Sequence, residues 1–226
     1  MAADPPFVLD PPSDGIEVTR RDDMDIYRGP ADGPRPAVVF VPGPIPAAMP
    51  TLPRDWAVFK GYSRLSVAHG LVAVVTALPY YDAQADAEAC ADQLERVLDT
   101  VRALPEVDAD RIALWVFSAG GWMIGRWLSA SPDWLRCLAL TYPVLQADPV
   151  VPGRPVVLTR VGLESPNRQA TVDDFLARAK DAGADVHVID VPDGQHGFDV
   201  LDHTEQSRTA VVDAMTAVAD AVSRPT

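Results

Sequence analysis

Residues that bind metals or form disulfides are scarce in this chain, whose 226 positions include two cysteines and four histidines. The cysteines, Cys90 and Cys137, show no C-x-x-C spacing, so we expect two small buried apolar side chains in a reducing compartment, no metal site and no cofactor. No apolar run approaches the length of a membrane span. The first residues lack both the basic and the apolar region of a signal peptide, which predicts a cytoplasmic location.

Positive charge is also in short supply, because 19 lysines and arginines face 32 aspartates and glutamates, for a formal net charge of −13. An acidic chain repels nucleic acids and anionic membrane surfaces, so neither is expected as a partner. The prolines and aspartates of residues 1–14 predict an extended N-terminal arm. Residues 15–226 have a length that suits a single domain with a substantial core.

Short apolar runs alternate with helical patterns along the chain. Residues 15–29 predict two antiparallel strands at a sheet edge. Continuous β-branched and aromatic runs predict strands buried on both faces; they cover 37–41, 71–75, 112–117, 138–142, 156–161 and 186–191. This alternation predicts an α/β fold, a mostly parallel sheet with helices on both faces, whose ligand site lies beyond the carboxyl ends of the strands.

Helical spacing of apolar residues fills the intervals between these strands. The predicted helices cover 54–69, 86–104, 171–182, the stretch from Ser118 to about Ala130, and a last helix lined by Val211, Val212, Met215, Val218 and Val222. Thr171 is expected to be the N-cap residue of the helix over 171–182. Asp202 and Glu205 resemble a capping box ahead of the last one.

Ser118 ends an apolar run and is followed by the small residues Ala119, Gly120 and Gly121. A strand that turns abruptly into a helix at a serine has the layout of a nucleophile elbow, which exposes the hydroxyl above the sheet. Small neighbours suit such a tight turn. The match to G-x-S-x-G is incomplete, because Val116 stands at the first glycine position. A serine N-cap after a buried strand is the alternative interpretation.

Two further residues follow later predicted strands and complete a chemical set with Ser118. His196 lies in a loop between Gly194 and Gly197, and Glu164 follows the 156–161 strand. A serine hydroxyl needs a base in contact, and histidine has a suitable pKa to take and return its proton. A carboxylate then holds the imidazole tautomer. The order serine, acid, histidine is that of an α/β-hydrolase triad.

Alternatives exist for the acid but are weaker for the histidine. Glu164 could be a surface acid, and Asp190, Asp193 and Asp199 lie close enough to His196 in sequence to compete for its orienting role. The other three histidines have structural explanations at a helix end, within a strand and ahead of a helix; they are His69, His187 and His203. A loop position between glycines favours a functional role for His196.

Several short segments resemble α/β-hydrolases of the dienelactone-hydrolase-like and esterase-like group. The matching segments are Asp110-Arg-Ile112, Phe117-Ser-Ala-Gly-Gly121, Pro155-Val-Val-Leu158, Gly162-Leu-Glu164 and Gly194-Gln-His-Gly-Phe-Asp199, and with the element order they span about residues 35–223. The resemblance implies an α/β-hydrolase fold. Dienelactone hydrolases proper use a cysteine nucleophile, whereas this chain has Ser118, which points towards the esterases.

The resemblance also implies two oxyanion-hole donors. One is the backbone N–H of Ala119, and the other comes from the loop after the 37–41 strand. That loop contains prolines at positions 42, 44 and 46, which have no N–H. Only Gly43 or Ile45 can donate there, and Ile45 is the expected donor by its position.

The substrate pocket is less defined by the sequence than the triad is. Four aromatic residues fall at or just beyond strand ends and either line the pocket or pack in the core; they are Tyr80, Tyr81, Trp122 and Tyr142. No long insertion follows the 138–142 strand, which predicts little or no cap domain. We therefore expect an open cleft, or one that a partner subunit completes in a homodimer.

Three functions are compatible with these residues. The first is a serine hydrolase of a small-molecule ester, lactone or thioester that acts through an acyl-enzyme on Ser118, with His196 and Glu164 completing the triad. The second is a cyclase, lyase or isomerase on the same fold that uses the acid–base chemistry of His196. The third is a binding protein without catalysis, in which the triad atoms do not reach one another.

Overall fold

The protein forms one eight-stranded sheet in a computed structural model, which describes residues 6–45, 51–78 and 87–224. The strands lie side by side in the order β1-β2-β4-β3-β5-β6-β7-β8. They are β1 (Glu17–Arg20), β2 (Met24–Arg28), β3 (Arg35–Val41), β4 (Val72–Thr76), β5 (Val107–Phe117), β6 (Leu135–Thr141), β7 (Val156–Val161) and β8 (Val186–Val191).

The sheet is antiparallel at one edge and parallel elsewhere. Strand β1 pairs with β2 and β2 pairs with β4 in antiparallel register, whereas every pairing from β4 to β8 is parallel. The central strands are buried on both faces, which explains their continuous β-branched and aromatic runs. The predicted antiparallel edge and the mostly parallel sheet are confirmed.

Helices cover both faces of the sheet. They are α1 (Ala57–Ala68), α2 (Ala87–Arg102), α3 (Gly125–Ser129), α4 (Pro166–Asp181), α5 (Phe198–Leu201) and α6 (Glu205–Ser223), with 3₁₀ turns at Pro53–Asp55 and Ser118–Met123. Side chains of α1 and α6 form one core layer with alternate residues of β3 and β5, and side chains of α2, α3 and α4 form the other. The alternation follows from the two-residue period of a strand.

Two helix starts differ from the sequence-based predictions. Helix α4 begins five residues before Thr171, because Ser165 is its N-cap residue and Pro166 at the first helical position supplies a preset φ. Helix α6 is capped by Thr204, whose side chain accepts a hydrogen bond from the Ser207 N–H. Asp202 instead accepts hydrogen bonds from Gln195.

Both cysteines are buried, as predicted. Burial raises the pKa of the Cys137 thiol to about 12, so it behaves as a small apolar side chain. In the part of the chain that the structure describes, no helix is both long and apolar enough to cross a membrane. No helix or strand intervenes between β6 and β7, a stretch described in full, so that connection carries no cap.

The N-terminal segment contributes to the core through Phe7 and Val8, which are 7% and 5% exposed. The Phe7 ring lies 4.9 Å from the Tyr62 ring between centroids, and a Cβ on Gly61 would come within 2.2 Å of the Phe7 ring. Glycine at that position of α1 therefore makes room for Phe7. The Val8 N–H donates to the backbone carbonyl of Asp199 at 2.9 Å.

Replacement of Phe7 by alanine should lower the free energy of unfolding by about 3 kcal/mol, because a buried aromatic ring is lost and a cavity remains beside Gly61. Urea unfolding followed by tryptophan fluorescence measures the change. Leu163→Ala is the matched control, since Leu163 is 65% exposed and its truncation should change the same free energy by less than about 0.5 kcal/mol. Equal effects of the two substitutions would show that Phe7 adds nothing to the core.

Candidate active site

Three side chains that the sequence singled out meet at the carboxyl edge of the sheet. Ser118 follows the last residue of β5, Glu164 lies in the turn after β7, and His196 lies in the loop between β8 and α5. The carboxyl ends of parallel strands share one edge, so residues far apart in sequence come together there.

Ser118 occupies a tight turn with left-handed backbone geometry, at a φ of 50°. A non-glycine residue in this region costs about 1–3 kcal/mol and persists only where its surroundings hold it. The carbonyl of Ser118 accepts a hydrogen bond from the Val144 N–H at 2.9 Å. This bond from the loop after β6 fixes the turn, which matches the expected elbow geometry.

Neighbouring backbone approaches the turn so closely that side chains cannot fit. A Cβ on Gly120 would lie 2.9 Å from the Val41 carbonyl oxygen, and one on Gly121 would lie 2.3 Å from the Val144 carbonyl oxygen. The Gly120 Cβ would also lie 3.1 Å from Cγ1 of Val116. The absence of a side chain at Gly120 thus leaves room for the valine that replaces the first glycine of the motif.

The helix expected after Ser118 is interrupted. A 3₁₀ turn over Ser118–Met123 is followed by Ile124 at φ −106° and ψ 10°, and only then by the short helix α3. A Cβ on Gly125 would come within 2.6 Å of the Asp148 carboxylate, so the loop after β6 lies directly on the start of α3. This contact between distant segments accompanies the break in the helix, which the apolar pattern predicted to be continuous.

The serine, histidine and glutamate side chains form one hydrogen-bonded chain. Ser118 Oγ lies 2.7 Å from Nε2 of His196, and the other ring nitrogen, Nδ1, contacts Oε2 of Glu164. An ionised carboxylate can only accept, so Nδ1 carries a proton in this contact and Nε2 of the neutral ring is left as an acceptor for the serine hydroxyl. The sequence predicted this set of contacts.

Glu164 is nearly enclosed, with 6% of its side chain exposed against 23% for His196. Its Oε1 accepts from the Ser165 N–H at 2.8 Å and from Arg168 at 3.4 Å. Burial by itself would raise the pKa of the Glu164 carboxyl, but the hydrogen bonds from His196 and Ser165 outweigh it and hold that pKa below its usual value. Glu164 is therefore an anion at neutral pH.

The loops that carry Glu164 and His196 are joined through backbone. A Cβ on Gly162 would lie 2.0 Å from the carbonyl oxygen of Pro192, the Gly162 N–H donates to the Val191 carbonyl at 2.9 Å, and the Leu163 N–H donates to the Gly194 carbonyl at 3.0 Å. Gly162 belongs to one of the segments that carry the family resemblance, but the sequence did not predict this role. A glycine directly after a buried strand, two residues before the acid, was the available signal.

The three aspartates near His196 in sequence have other partners or none. Asp190 pairs with Arg160 at 2.8 Å, and Asp193 is exposed. Asp199 is fully buried and accepts hydrogen bonds from the hydroxyls of two tyrosines. Glu164 is thus the carboxylate in contact with the imidazole.

The remaining predicted site residues fall in different surroundings. Ala119 follows Ser118 in the turn, and a Cβ on Gly43 would lie 3.4 Å from its backbone nitrogen, so the proline-containing loop packs against it. Ile45 is 6% exposed at the last described position of that loop. The Tyr142 ring lies 4.7 Å from the His196 ring, whereas Trp122 packs against the core layer of α2. Tyr80 and Tyr81 lie outside the described residues.

Sequence comparisons and structure comparisons differ in outcome. No protein-family model matches the chain, and no curated protein matches it by sequence. Solved structures do match. An esterase from Pyrobaculum calidifontis superposes with a TM-score of 0.70 at 17% identity, over 94% of this chain and 87% of the esterase.

Two further structures extend this likeness. A dienelactone hydrolase-like promiscuous phosphotriesterase from metagenomic libraries gives a TM-score of 0.65 at 18% identity, over 88% of this chain and 91% of that one. Thermogutta terrifontis esterase 2, phosphoramylated by tabun, gives 0.67 at 18% identity, over 96% and 98% of the two chains. With the strand order described above, these likenesses show that the chain has the α/β-hydrolase fold.

Proposed function

We propose that the chain is a serine hydrolase that cleaves a small-molecule ester, lactone or thioester through an acyl-enzyme. The observation that carries this proposal is the 2.7 Å contact between Ser118 Oγ and His196 Nε2, with Nδ1 of the same ring on Glu164. A binding protein without catalysis has no need of a nucleophile, a base and an orienting acid in this alignment. The printed names of the similar structures, esterases and a phosphotriesterase, favour the same chemistry.

The first half of the reaction follows from the hydrogen-bonded chain. His196 Nε2 takes the proton of Ser118 as Oγ attacks the carbonyl carbon of the substrate. The imidazolium that forms is stabilised by Glu164, which accepts the hydrogen bond from Nδ1–H while the proton stays on the ring. When the tetrahedral intermediate collapses, Nε2–H protonates the leaving alcohol or thiol, and the acyl group stays on Ser118.

The second half uses the same residues in reverse. Water gives its proton to Nε2 of His196 while its oxygen attacks the acyl carbon. Collapse of this second intermediate returns the proton to Ser118 Oγ and releases the acid. A lactone follows the same steps, except that its alcohol and acid leave as one molecule.

The negative charge on the carbonyl oxygen needs backbone donors close to Ser118. We assign the N–H groups of Ala119 and Ile45 to this role. Ala119 is the second residue of the 3₁₀ turn, where the first N–H groups have no partner within the turn. The contact between Gly43 and the Ala119 backbone brings the loop that carries Ile45 to the same place. Each such donor contributes about 10²–10³-fold in turnover.

A fluorophosphonate probe should label wild-type protein at Ser118, because the serine with its base in contact is the activated nucleophile. Intact-protein mass spectrometry follows the labelling, and peptide mapping locates it. Ser118→Ala should abolish the adduct, and His196→Ala should slow its formation at least about 10³-fold.

His203→Ala is the matched control for this labelling, since His203 is exposed and seven positions from His196, and its rate should equal that of wild type. Wild-type protein that stays unlabelled at Ser118 would contradict the proposal. Turnover of a substrate that survives Ser118→Ala but not His196→Ala would favour the cyclase, lyase or isomerase alternative.

Glu164→Gln should lower kcat on 4-nitrophenyl esters by about 10³–10⁴-fold, because the amide no longer fixes the tautomer of His196 or stabilises its cation. KM should change little, since the carboxylate lies behind the ring and away from the substrate. Asp190→Asn tests a nearby acid that pairs with Arg160, and its kcat should stay within about twofold. A kcat for Glu164→Gln near that of wild type would remove Glu164 from the triad.

Gly162→Ala should lower both stability and kcat, because the added methyl group would lie 2.0 Å from the Pro192 carbonyl oxygen and force apart the loops that carry Glu164 and His196. We expect a loss of about 1–3 kcal/mol in the free energy of unfolding. Gly33→Ala is the control, since a Cβ there meets nothing within 4 Å. If Gly162→Ala matched Gly33→Ala in urea unfolding and in kcat, the two loops would not depend on their close approach.

A further inference from the structure

Asp199 is a deeply buried carboxyl group that the proposed reaction does not use. It is 0% exposed and lies in the first turn of α5, three residues after His196. Burial of a carboxylate is costly unless hydrogen bonds replace its hydration. Two tyrosine hydroxyls, from different parts of the fold, provide them.

Tyr142, directly after β6, donates to both oxygens of Asp199 at 2.9 and 3.0 Å, and Tyr62 of α1 donates to Oδ2 at 3.2 Å. Burial and the adjacent carboxylate raise the pKa of both phenols well above its usual value, so both stay protonated and donate. Burial raises the pKa of Asp199 to about 6, against the opposing effect of the two hydroxyls. At neutral pH the group is therefore an anion held by two neutral phenols.

Tyr142 connects this carboxylate to His196. The Tyr142 and His196 rings lie 4.7 Å apart between centroids, with their planes at 53°. Phe198 packs edge-on against the Tyr142 ring, at 5.9 Å. The backbone of Tyr142 has a φ of 36°, a left-handed conformation that an aromatic residue rarely adopts. Its hydroxyl bonds to Asp199 help to hold the ring in place despite this strain.

Tyr62 binds the same carboxylate, and its ring shares one neighbour, Phe117, with the ring of Tyr142. Its ring packs in the core against Phe7, Phe40, Trp115 and Phe117. Asp199 therefore has one hydroxyl partner whose ring packs on the imidazole and another whose ring packs in the core.

We propose that Asp199 is a positioning residue, which holds the Tyr142 ring against His196 so that the imidazole keeps its contacts with Ser118 and Glu164. The role rests on the proposed hydrolase chemistry in one respect: the imidazolium formed during turnover lies beside the ring of Tyr142, with the Asp199 charge beyond it. An aromatic face within about 6 Å attracts a cation, and a buried anion behind it adds to the attraction.

The kinetic test compares four variants on a 4-nitrophenyl ester. Asp199→Asn keeps the shape of the side chain without its charge and should lower kcat by about 10²-fold with KM nearly unchanged. Tyr142→Phe keeps the ring without its anchor and should lower kcat about tenfold. The double variant should be no slower than Asp199→Asn, because both substitutions break the same link. Tyr62→Phe, the matched control, should keep kcat within about threefold.

The pH dependence separates positioning from general stability. Burial raises the pKa of Asp199 to about 6, so protonation of Asp199 below about pH 6 should remove the positioning contact and lower kcat. The fall of log kcat with decreasing pH should therefore be steeper in wild type than in Asp199→Asn, which has no carboxyl group to protonate at this position. The groups that face Asp199 are the phenols of Tyr62 and Tyr142, which stay neutral throughout this range and add no titration of their own. Equal slopes in both proteins would count against the proposal.

A spectroscopic readout does not depend on turnover. The hydrogen-bonded Nδ1 proton of His196 should give a far-downfield proton NMR resonance, assigned by its loss in His196→Ala. We expect it to stay sharp in wild type and Tyr62→Phe and to broaden or vanish in Asp199→Asn and Tyr142→Phe. An unchanged resonance and an unchanged kcat in Asp199→Asn overturn the positioning role. If the resonance changes in these variants but the fluorophosphonate does not label the wild-type protein, the positioning of His196 is supported and the hydrolase function is refuted.

Discussion

The structure depends on the close packing of three backbone segments, the turn at Ser118 and the loops after β3 and β6, with no side chains between them. The loops after β3 and β6 both approach the turn, and glycines at 120 and 121 are the residues that permit it. The hydrogen bond from Val144 to the Ser118 carbonyl then holds a φ that serine does not favour. This arrangement sets the direction of Oγ, and the packing of the Gly43 loop against Ala119 follows from the same crowding.

His196 is held from two sides by different kinds of contact. On one side the turn that carries Glu164 contacts the loop after β8 through the backbone at Gly162, and the Glu164 carboxylate contacts Nδ1. On the other side lie Tyr142 and, behind it, Asp199. The two carboxylates differ in environment, because Glu164 has a lowered pKa and contacts the ring directly, whereas Asp199 has a raised one and acts through a phenol. An imidazole between them is restrained in both position and charge.

Local patterns predicted the sheet and the three side chains that meet at its carboxyl edge, but not the backbone contacts that join distant segments. Strands such as β3 and β7 were readable because continuous apolar runs report burial, and Ser118, Glu164 and His196 were readable because each follows such a run. The break at Ile124 and the role of Gly162 depend on segments that approach only in the folded chain. The start of α4 at Pro166 was a local signal overlooked in favour of Thr171, which had the more familiar capping pattern.

Proximity in sequence did not identify the hydrogen-bond partners of Asp199. Its position near His196 suggested that it competes with Glu164 for orienting the imidazole, whereas its carboxylate binds tyrosines from α1 and from the end of β6. Neither tyrosine carries a sequence mark of this partnership. Only the fold brings the three residues together, which is why the sequence left Asp199 as an alternative to Glu164 for orienting His196.

The hydrogen bond between Val8 and Asp199 links the beginning of the described chain to helix α5, which follows the last strand and the loop of His196. During synthesis the ribosome releases Val8 first and Asp199 only after nearly all other elements. The Val8 N–H must therefore wait for its acceptor until β8 and the residues after it emerge. Such a long-range closure is slow to form. It also makes the loop of His196 one of the last parts of the protein to acquire its final neighbours, so a chain that ends before β8 would lack both His196 and the acceptor for Val8.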